Sequence, residues 1–210
     1  MIFGTGKITV KILDAAPKLK ILARHGAGYD GVDLQAARKH GVLVCTAGGA
    51  NAISVAELTI FYMLYCSRNF KKVEKLYLED YRKAKMGIPK TELEGKTLGL
   101  VGLGNIGKLV AQKAALGFDM TVLAYDPFAK GAGLPDYIRL VEDRDEIFKR
   151  SDYVSLHVPA TTETVHSVSD REFGLMKPTA YLINAARGSI VDEAALYRAL
   201  QEEKIAGAGL

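Results

Sequence analysis

Gly102-Leu103-Gly104-Asn105-Ile106-Gly107 is a G-x-G-x-x-G run, and its neighbours give it the setting that makes such a run chemically meaningful. The apolar stretch 98–101 before it reads as a strand. After it, Ile106, Leu109, Val110 and Ala114 recur at helical spacing. In a strand–turn–helix of this kind Gly102 permits the tight turn, Gly104 lets the backbone approach a pyrophosphate, and Gly107 lets the helix pack closely on the strand. Asn105 and Ile106 open the helix, whose unpaired N–H groups and positive dipole end suit that pyrophosphate. The same logic asks for an acid at the end of the next strand, about 20 residues on. Asp126 stands there, 19 residues after Gly107, closing Thr121-Val122-Leu123-Ala124-Tyr125. Its carboxylate can accept hydrogen bonds from the adenosine ribose hydroxyls and would repel the 2′-phosphate of NADP. The nearest base is Lys130, so NAD is the expected cofactor. The competing reading is a glycine turn in a domain that binds no nucleotide. The agreement of strand, glycines, helix and acid weighs against it.

These residues need a scaffold. The chain has 210 residues, enough for one sizeable core or two small ones. An apolar fraction of 49% and a charged fraction of 25% are those of an ordinary soluble globular protein. A net charge of +4 is too small to argue for nucleic acid. The densest basic stretch, 68–85, is interrupted by Glu74, Glu79 and Asp80 and reads as a solvated helical face. The longest apolar stretch, near 55–66, contains Glu57 and Thr59 and is too short to span a bilayer. The first residues carry no secretory pattern. No membrane, nucleic-acid or metal site is expected, and the cytoplasm is the expected home. Cys45 and Cys66 each follow apolar residues and read as buried thiols.

Short β-branched runs alternate with helical patterns, the mark of a parallel α/β sheet. A strand over 21–23 is followed by the turn Gly26-Ala27-Gly28, then by a helix over 34–39 between an Asp33 cap and a Gly41 stop. A strand at 42–45 and the loop 46–51 lead to a long helix. There Ser54 and Glu57 have capping-box spacing, and apolar residues on most sides predict burial on most sides. Residues 70–94 read as a polar helical arm. Composition shifts at Lys96, and the remainder reads as a doubly wound domain. Its strands fall at 97–101, 121–125, 138–141, 153–158 and 181–185, and a last one begins at Ile205. Residues 159–178 read as turn-rich, and a helix capped by Asp192 runs to about 203. The expected domains are a partial lobe over 1–69, a connecting arm over 70–95 and a dinucleotide domain over 96–210. The chain ends inside the last strand, a hint of truncation.

With the glycine run in place, three further segments resemble the NAD-dependent D-2-hydroxyacid dehydrogenases, especially their phosphoglycerate dehydrogenase branch. They are Arg24-His25-Gly26-Ala27-Gly28-Tyr29-Asp30-Gly31-Val32-Asp33, Asn51-Ala52-Ile53-Ser54-Val55-Ala56-Glu57-Leu58-Thr59, and Met176-Lys177-Pro178 leading to Asn184-Ala185-Ala186-Arg187-Gly188-Ser189-Ile190-Val191-Asp192. The four motifs occur in the family's order over almost the whole chain. The resemblance implies a Rossmann domain beside part of a flavodoxin-like substrate lobe. It also implies hydride transfer between NAD(H) and a small 2-oxo/2-hydroxy acid, and a homodimer formed around the arm. It places Gly26, Ala27 and Gly28 at the substrate carboxylate, where small residues free backbone N–H groups for an anion; a plain tight turn is the alternative. Asn51 matches a substrate-facing position or makes an Asx-type loop bond. By the same resemblance, Val158, Ala185 and Ala186 would line the nicotinamide side.

Arg187, just past a strand end, can grip a 2-oxo acid's carboxylate or carbonyl in forked geometry and polarise it. Its alternative is a surface ion pair with Asp192 or Glu193. The family's proton-transferring histidine and its glutamate partner lie downstream of the segment matching Ala206-Gly207-Ala208-Gly209-Leu210, and its first strands lie upstream of Met1. The resemblance therefore implies truncation at both ends. None of His25, His40, His157 and His166 matches the donor's place, and very poor turnover or none is expected. Phosphoglycerate dehydrogenase, of serine synthesis, is the first candidate activity. The alternatives are hydroxypyruvate or glyoxylate reduction, or a catalytically incompetent NAD-binding fragment.

Overall fold

The computed structural model describes residues 1–4, 6–130 and 133–210. The chain divides into two compact units, residues 1–53 and 54–210.

In the first unit, β1 (Ile2–Phe3), α1 (Val10–Asp14), β2 (Ile21–Arg24), α2 (Leu34–Lys39) and β3 (Leu43–Thr46) alternate. The strands form a parallel sheet in the order β1-β2-β3. α2 starts where Asp33 accepts the Ala36 N–H at 2.8 Å and stops at left-handed Gly41, as its sequence predicts. Leu13, Leu22, Ala36, Ala37 and Val42 make the small core. Cys45 corrects the expectation of a buried thiol, because it is exposed. It alternates with Val44 on an edge strand and shares its face with exposed Leu43, whereas Val44 packs on the core.

α3 (Ala52–Ser67) begins two residues before Ser54, so Ser54 and Glu57 lie inside the helix and form no capping box. Glu57 instead pairs with Lys113 at 3.6 Å. Nor is α3 buried on most sides. Ala56, Thr59, Ile60 and Met63 are buried, whereas Leu58, Phe61 and Leu64 are exposed. The buried side packs with Leu98 and Leu100 of the second unit's sheet. Compactness therefore divides the chain earlier than composition does. The arm is α4 (Phe70–Glu79) and α5 (Tyr81–Met86), separated by extended Asp80, whose carboxylate caps α5 at the Lys83 N–H.

The remaining elements are β4 (Thr97–Val101), α6 (Asn105–Phe118), β5 (Thr121–Tyr125), β6 (Ile138–Leu140), α7 (Asp145–Arg150), β7 (Tyr153–Leu156), α8 (Asp170–Leu175), β8 (Tyr181–Asn184), a 3-10 turn Gly188–Ile190, α9 (Glu193–Gln201) and β9 (Gly207–Gly209). The sheet is parallel throughout, in the order β6-β5-β4-β7-β8-β9. Both faces of its central strands are buried, as a parallel sheet requires. α8 lies in the stretch that reads as turn-rich. Its signal was Ser169-x-x-Glu172, a genuine capping box in which Glu172 accepts the Ser169 N–H at 3.0 Å. Asp192 caps α9 by accepting the Ala195 N–H at 3.0 Å, as expected.

Candidate functional site

Chain order reverses between β4 and β7, and in an open parallel sheet ligands bind beyond the strand ends at such a point. The glycine run leaves the end of β4 there, and each of its glycines has a different cause. Gly102 has φ +99°, and a Cβ on it would stand 2.6 Å from the His157 carbonyl oxygen and 2.9 Å from Val158 Cγ1. A Cβ on Gly107 would overlap the Gly102 carbonyl oxygen. Gly104 meets no protein atom within 4 Å, so protein packing does not require its glycine, and the space beside it is open to a ligand. Gly104 is also the N-cap of the 14-residue helix α6, and no side chain caps that end. The first N–H groups of α6 and its positive dipole end thus face a side-chain-free cradle. These are the features a dinucleotide pyrophosphate needs, so the residues present fit that cofactor.

Asp126, one residue past β5, is bound to this loop. Its carboxylate accepts the Leu103 N–H at 2.8 Å and the Phe128 N–H at 2.8 Å. Each oxygen keeps lone-pair capacity for a ribose hydroxyl. The acid therefore does more than the sequence implies, because it ties the β5 turn to the glycine loop.

His157 follows β7. Its Nε2 lies 2.9 Å from buried Ser155 Oγ, and burial pushes the ring down to about 4. It is a neutral, structural histidine lying under the glycine loop. His40, at the end of α2, is the opposite case. Its Nδ1 meets the Ala36 carbonyl at 2.8 Å and its Nε2 meets Asp14 at 2.9 Å, and these bonds raise its pKa.

β8 ends in the turn Asn184-Ala185-Ala186-Arg187. Arg187 has an extended backbone and an η-nitrogen donating to the Ala186 carbonyl at 2.8 Å. A cleft of about 310 Å³ opens beside Ala185, Ala186, Arg187, Glu193 and Leu196. Val158 and Ala186 pack against one apolar cluster. The second unit thus holds Gly102, Gly104, Asn105, Ile106, Gly107, Asp126, Val158, Ala185, Ala186 and Arg187 at the carboxyl ends of β4, β5, β7 and β8.

The other predicted residues belong to the first unit. Gly26 has φ +129°, the Arg24 side chain donates to the Gly28 carbonyl at 2.9 Å, and the Ala47 N–H donates to the Gly26 carbonyl at 3.0 Å. Asn51 is exposed and immediately precedes α3. Among the described residues, no group of three or more His, Cys, Asp or Glu side chains could hold a metal, and no helix is long and apolar enough to cross a membrane.

Comparison with known proteins agrees with this geometry. Residues 60–210 match the family model of the D-isomer specific 2-hydroxyacid dehydrogenase NAD binding domain. A hydroxypyruvate reductase of Thermotoga maritima is 42% identical over 205 residues, which cover 97% of this chain and 65% of the relative. A D-3-phosphoglycerate dehydrogenase of Methanocaldococcus jannaschii is also 42% identical, over 97% of this chain and 39% of its own length. The chain thus spans less than two thirds of the length of these relatives. The crystal structure of D-lactate dehydrogenase from Aquifex aeolicus, complexed with NAD and lactic acid, superposes with a TM-score of 0.89 at 37% identity, covering 100% of this chain and 63% of that one.

Proposed function

The chain belongs to the D-isomer specific 2-hydroxyacid dehydrogenase family, and from that premise we propose that it serves hydride transfer between NAD(H) and a small 2-oxo/2-hydroxy acid, with D-3-phosphoglycerate as the first candidate. The observation that carries this reading is Arg187, standing past the end of β8 in the same unit as the glycine cradle. Nicotinamide, when bound, supplies or takes the hydride. The protein's work is binding and polarisation. Gly102, Gly104, Asn105, Ile106 and Gly107 cradle the pyrophosphate, and Asp126 takes the ribose hydroxyls. Val158, Ala185 and Ala186 line the nicotinamide side. The Arg187 guanidinium binds the acid through forked hydrogen bonds and draws electron density from its carbonyl. A guanidinium offers N–H donors and no acceptor, so its part is to hold and polarise the acid.

In the first unit Gly26, Ala27, Gly28 and Asn51 are assigned to the substrate. Residues 1–69 then serve as substrate lobe, 70–95 as connecting arm and 96–210 as cofactor domain, with the arm forming a homodimer. Exposed Tyr77, Leu78, Tyr81 and Met86 favour that last role, since a partner would cover them. Hydroxypyruvate is the second candidate substrate, because the T. maritima relative is as similar as the phosphoglycerate enzyme.

The test is binding. Oxamate, an isostere of a 2-oxo acid, is titrated calorimetrically into the NADH complex of the chain and of Arg187→Ala. The reading expects the substitution to weaken oxamate about tenfold or more while NADH affinity stays within about threefold. Equal oxamate affinity in the two proteins overturns it. Competition by 3-phosphohydroxypyruvate against hydroxypyruvate then ranks the candidate substrates.

A further inference from the structure

We propose that Asn184 is the positioning residue for Arg187: its carboxamide sets the backbone from which the arginine reaches the substrate. The inference rests on the reading of Arg187 as the group that grips the 2-oxo acid.

Asn184 is the last residue of β8 and is buried, one of few polar residues that are. Its Oδ1 accepts the Ala186 N–H at 3.0 Å, and its Nδ2 donates to the Arg187 carbonyl at 2.9 Å. The orientation of the amide is forced, because an N–H can only donate and a carbonyl can only accept. The side chain that closes this turn must therefore present one acceptor and one donor, two atoms from its own Cβ. Asparagine does so. Aspartate has the acceptor but would set a second oxygen against the Arg187 carbonyl, and an aliphatic residue offers neither group.

The far side of the same turn is fastened separately. The His166 N–H donates to the Ser189 carbonyl at 2.8 Å, the Val168 N–H to the Ile190 carbonyl at 3.1 Å, and the Asp192 N–H to the Val168 carbonyl at 2.9 Å. Arg187 thus lies between two sets of bonds, with the Asn184 set on the strand side. A small rotation of the Arg187 backbone would move the guanidinium, several bonds away, by ångströms. Displacement of about 1 Å at a reacting group can cost a hundredfold. Asn184 also holds Ala186, which is assigned to the nicotinamide side, so its removal should act far more strongly on the acid than on the cofactor.

The experiment compares the chain with Asn184→Ala, Asn184→Asp and Arg187→Ala. It measures oxamate affinity of the NADH complex, NADH affinity, and hydrogen exchange of the peptide covering 185–190. Asn184→Ala should speed exchange of that peptide about tenfold and weaken oxamate about tenfold, with NADH within about threefold. Asn184→Asp keeps size and the Ala186 bond, which guards against a misfolded alanine variant. It should preserve most of the exchange protection and still lose oxamate, because the Arg187 carbonyl is repelled. A merely structural role would lower stability without separating the two ligands. If both Asn184 variants bind oxamate within twofold of the unaltered chain while Arg187→Ala does not, the Asn184 role is wrong and the Arg187 reading stands. If oxamate fails to bind the unaltered NADH complex, or binds Arg187→Ala equally well, the Arg187 reading falls and this inference falls with it.

Discussion

The two glycine-rich turns of this chain, Gly26-Ala27-Gly28 and Gly102 to Gly107, look alike as text and are built on different principles. The second is closed by steric exclusion. Side chains at Gly102 and Gly107 would strike backbone carbonyls, and those carbonyls belong to the elements that frame the cradle. The first is open. Gly26 needs its positive φ, yet no atom lies within 4 Å of where its Cβ would be. Its shape is held from outside, by the Arg24 side chain on the Gly28 carbonyl and the Ala47 N–H on the Gly26 carbonyl. Packing at Gly102 and Gly107 admits no side chain, whereas a turn that is merely held open tolerates a strained one.

The largest effect that would break this contrast is at Gly107. Gly107→Ala should cost about 2–4 kcal/mol in urea denaturation and lower NADH affinity at least about a hundredfold, because backbone must move to admit the methyl. A binding-competent, fully stable Gly107→Ala protein would refute the steric account.

The next largest effect comes from the two histidines, which give the two units opposite pH responses. His157 in the second unit is depressed to about 4. Between the unfolded value of 6.5 and that value the unfolded chain binds a proton that the folded chain does not. Stability therefore falls as pH falls through this window, by up to about 3 kcal/mol. His157→Gln should flatten that limb in denaturation curves taken between pH 7 and 4. His40 in the first unit is raised. Its contribution is complete below 6.5 and is lost as pH rises through its raised value. His40→Ala should thus weaken the first unit only on the acidic side, readable as faster hydrogen exchange in α1 and α2.

A smaller effect sharpens the comparison at the rim of the cradle. NADH should bind better than NADPH, and Asp126→Ala should narrow the gap. Because the carboxylate also holds the Leu103 and Phe128 N–H groups, the substitution should weaken NADH itself about tenfold. Calorimetry showing an unaltered preference, or NADPH preferred by the unaltered chain, would remove Asp126 from the ribose. The smallest effect belongs to the open turn. Gly26→Ala should cost about 1 kcal/mol through its φ alone and leave NADH affinity within twofold; a larger cost would mean the space is occupied.

Much of this was legible beforehand where a residue acts on its immediate neighbours. Asp33 and Asp192 announced their helices because a cap needs only the next three residues. Gly102, Gly107 and Asp126 announced theirs because strand, turn and helix follow one another within thirty residues. The same local pattern misled at Ser54 and went unread at Ser169, in a stretch that reads as turn-rich. Both have Glu three residues on, but α3 had already begun at Ala52, while α8 begins only after Ser169.

From its residues alone the chain determined a parallel α/β architecture, a strand–glycine turn–helix at Gly102 to Gly107 and an acid at Asp126 beside it, since these depend on periodicity and on spacing along one stretch of backbone. Tertiary structure alone decided which side of uniformly apolar α3 is covered, that Cys45 faces outward on an edge strand, and that Asp126 grips Leu103 across 23 residues. Each depends on which distant strand or turn arrives alongside. That arrival is set by strand order in the sheets, and no window of the sequence contains it.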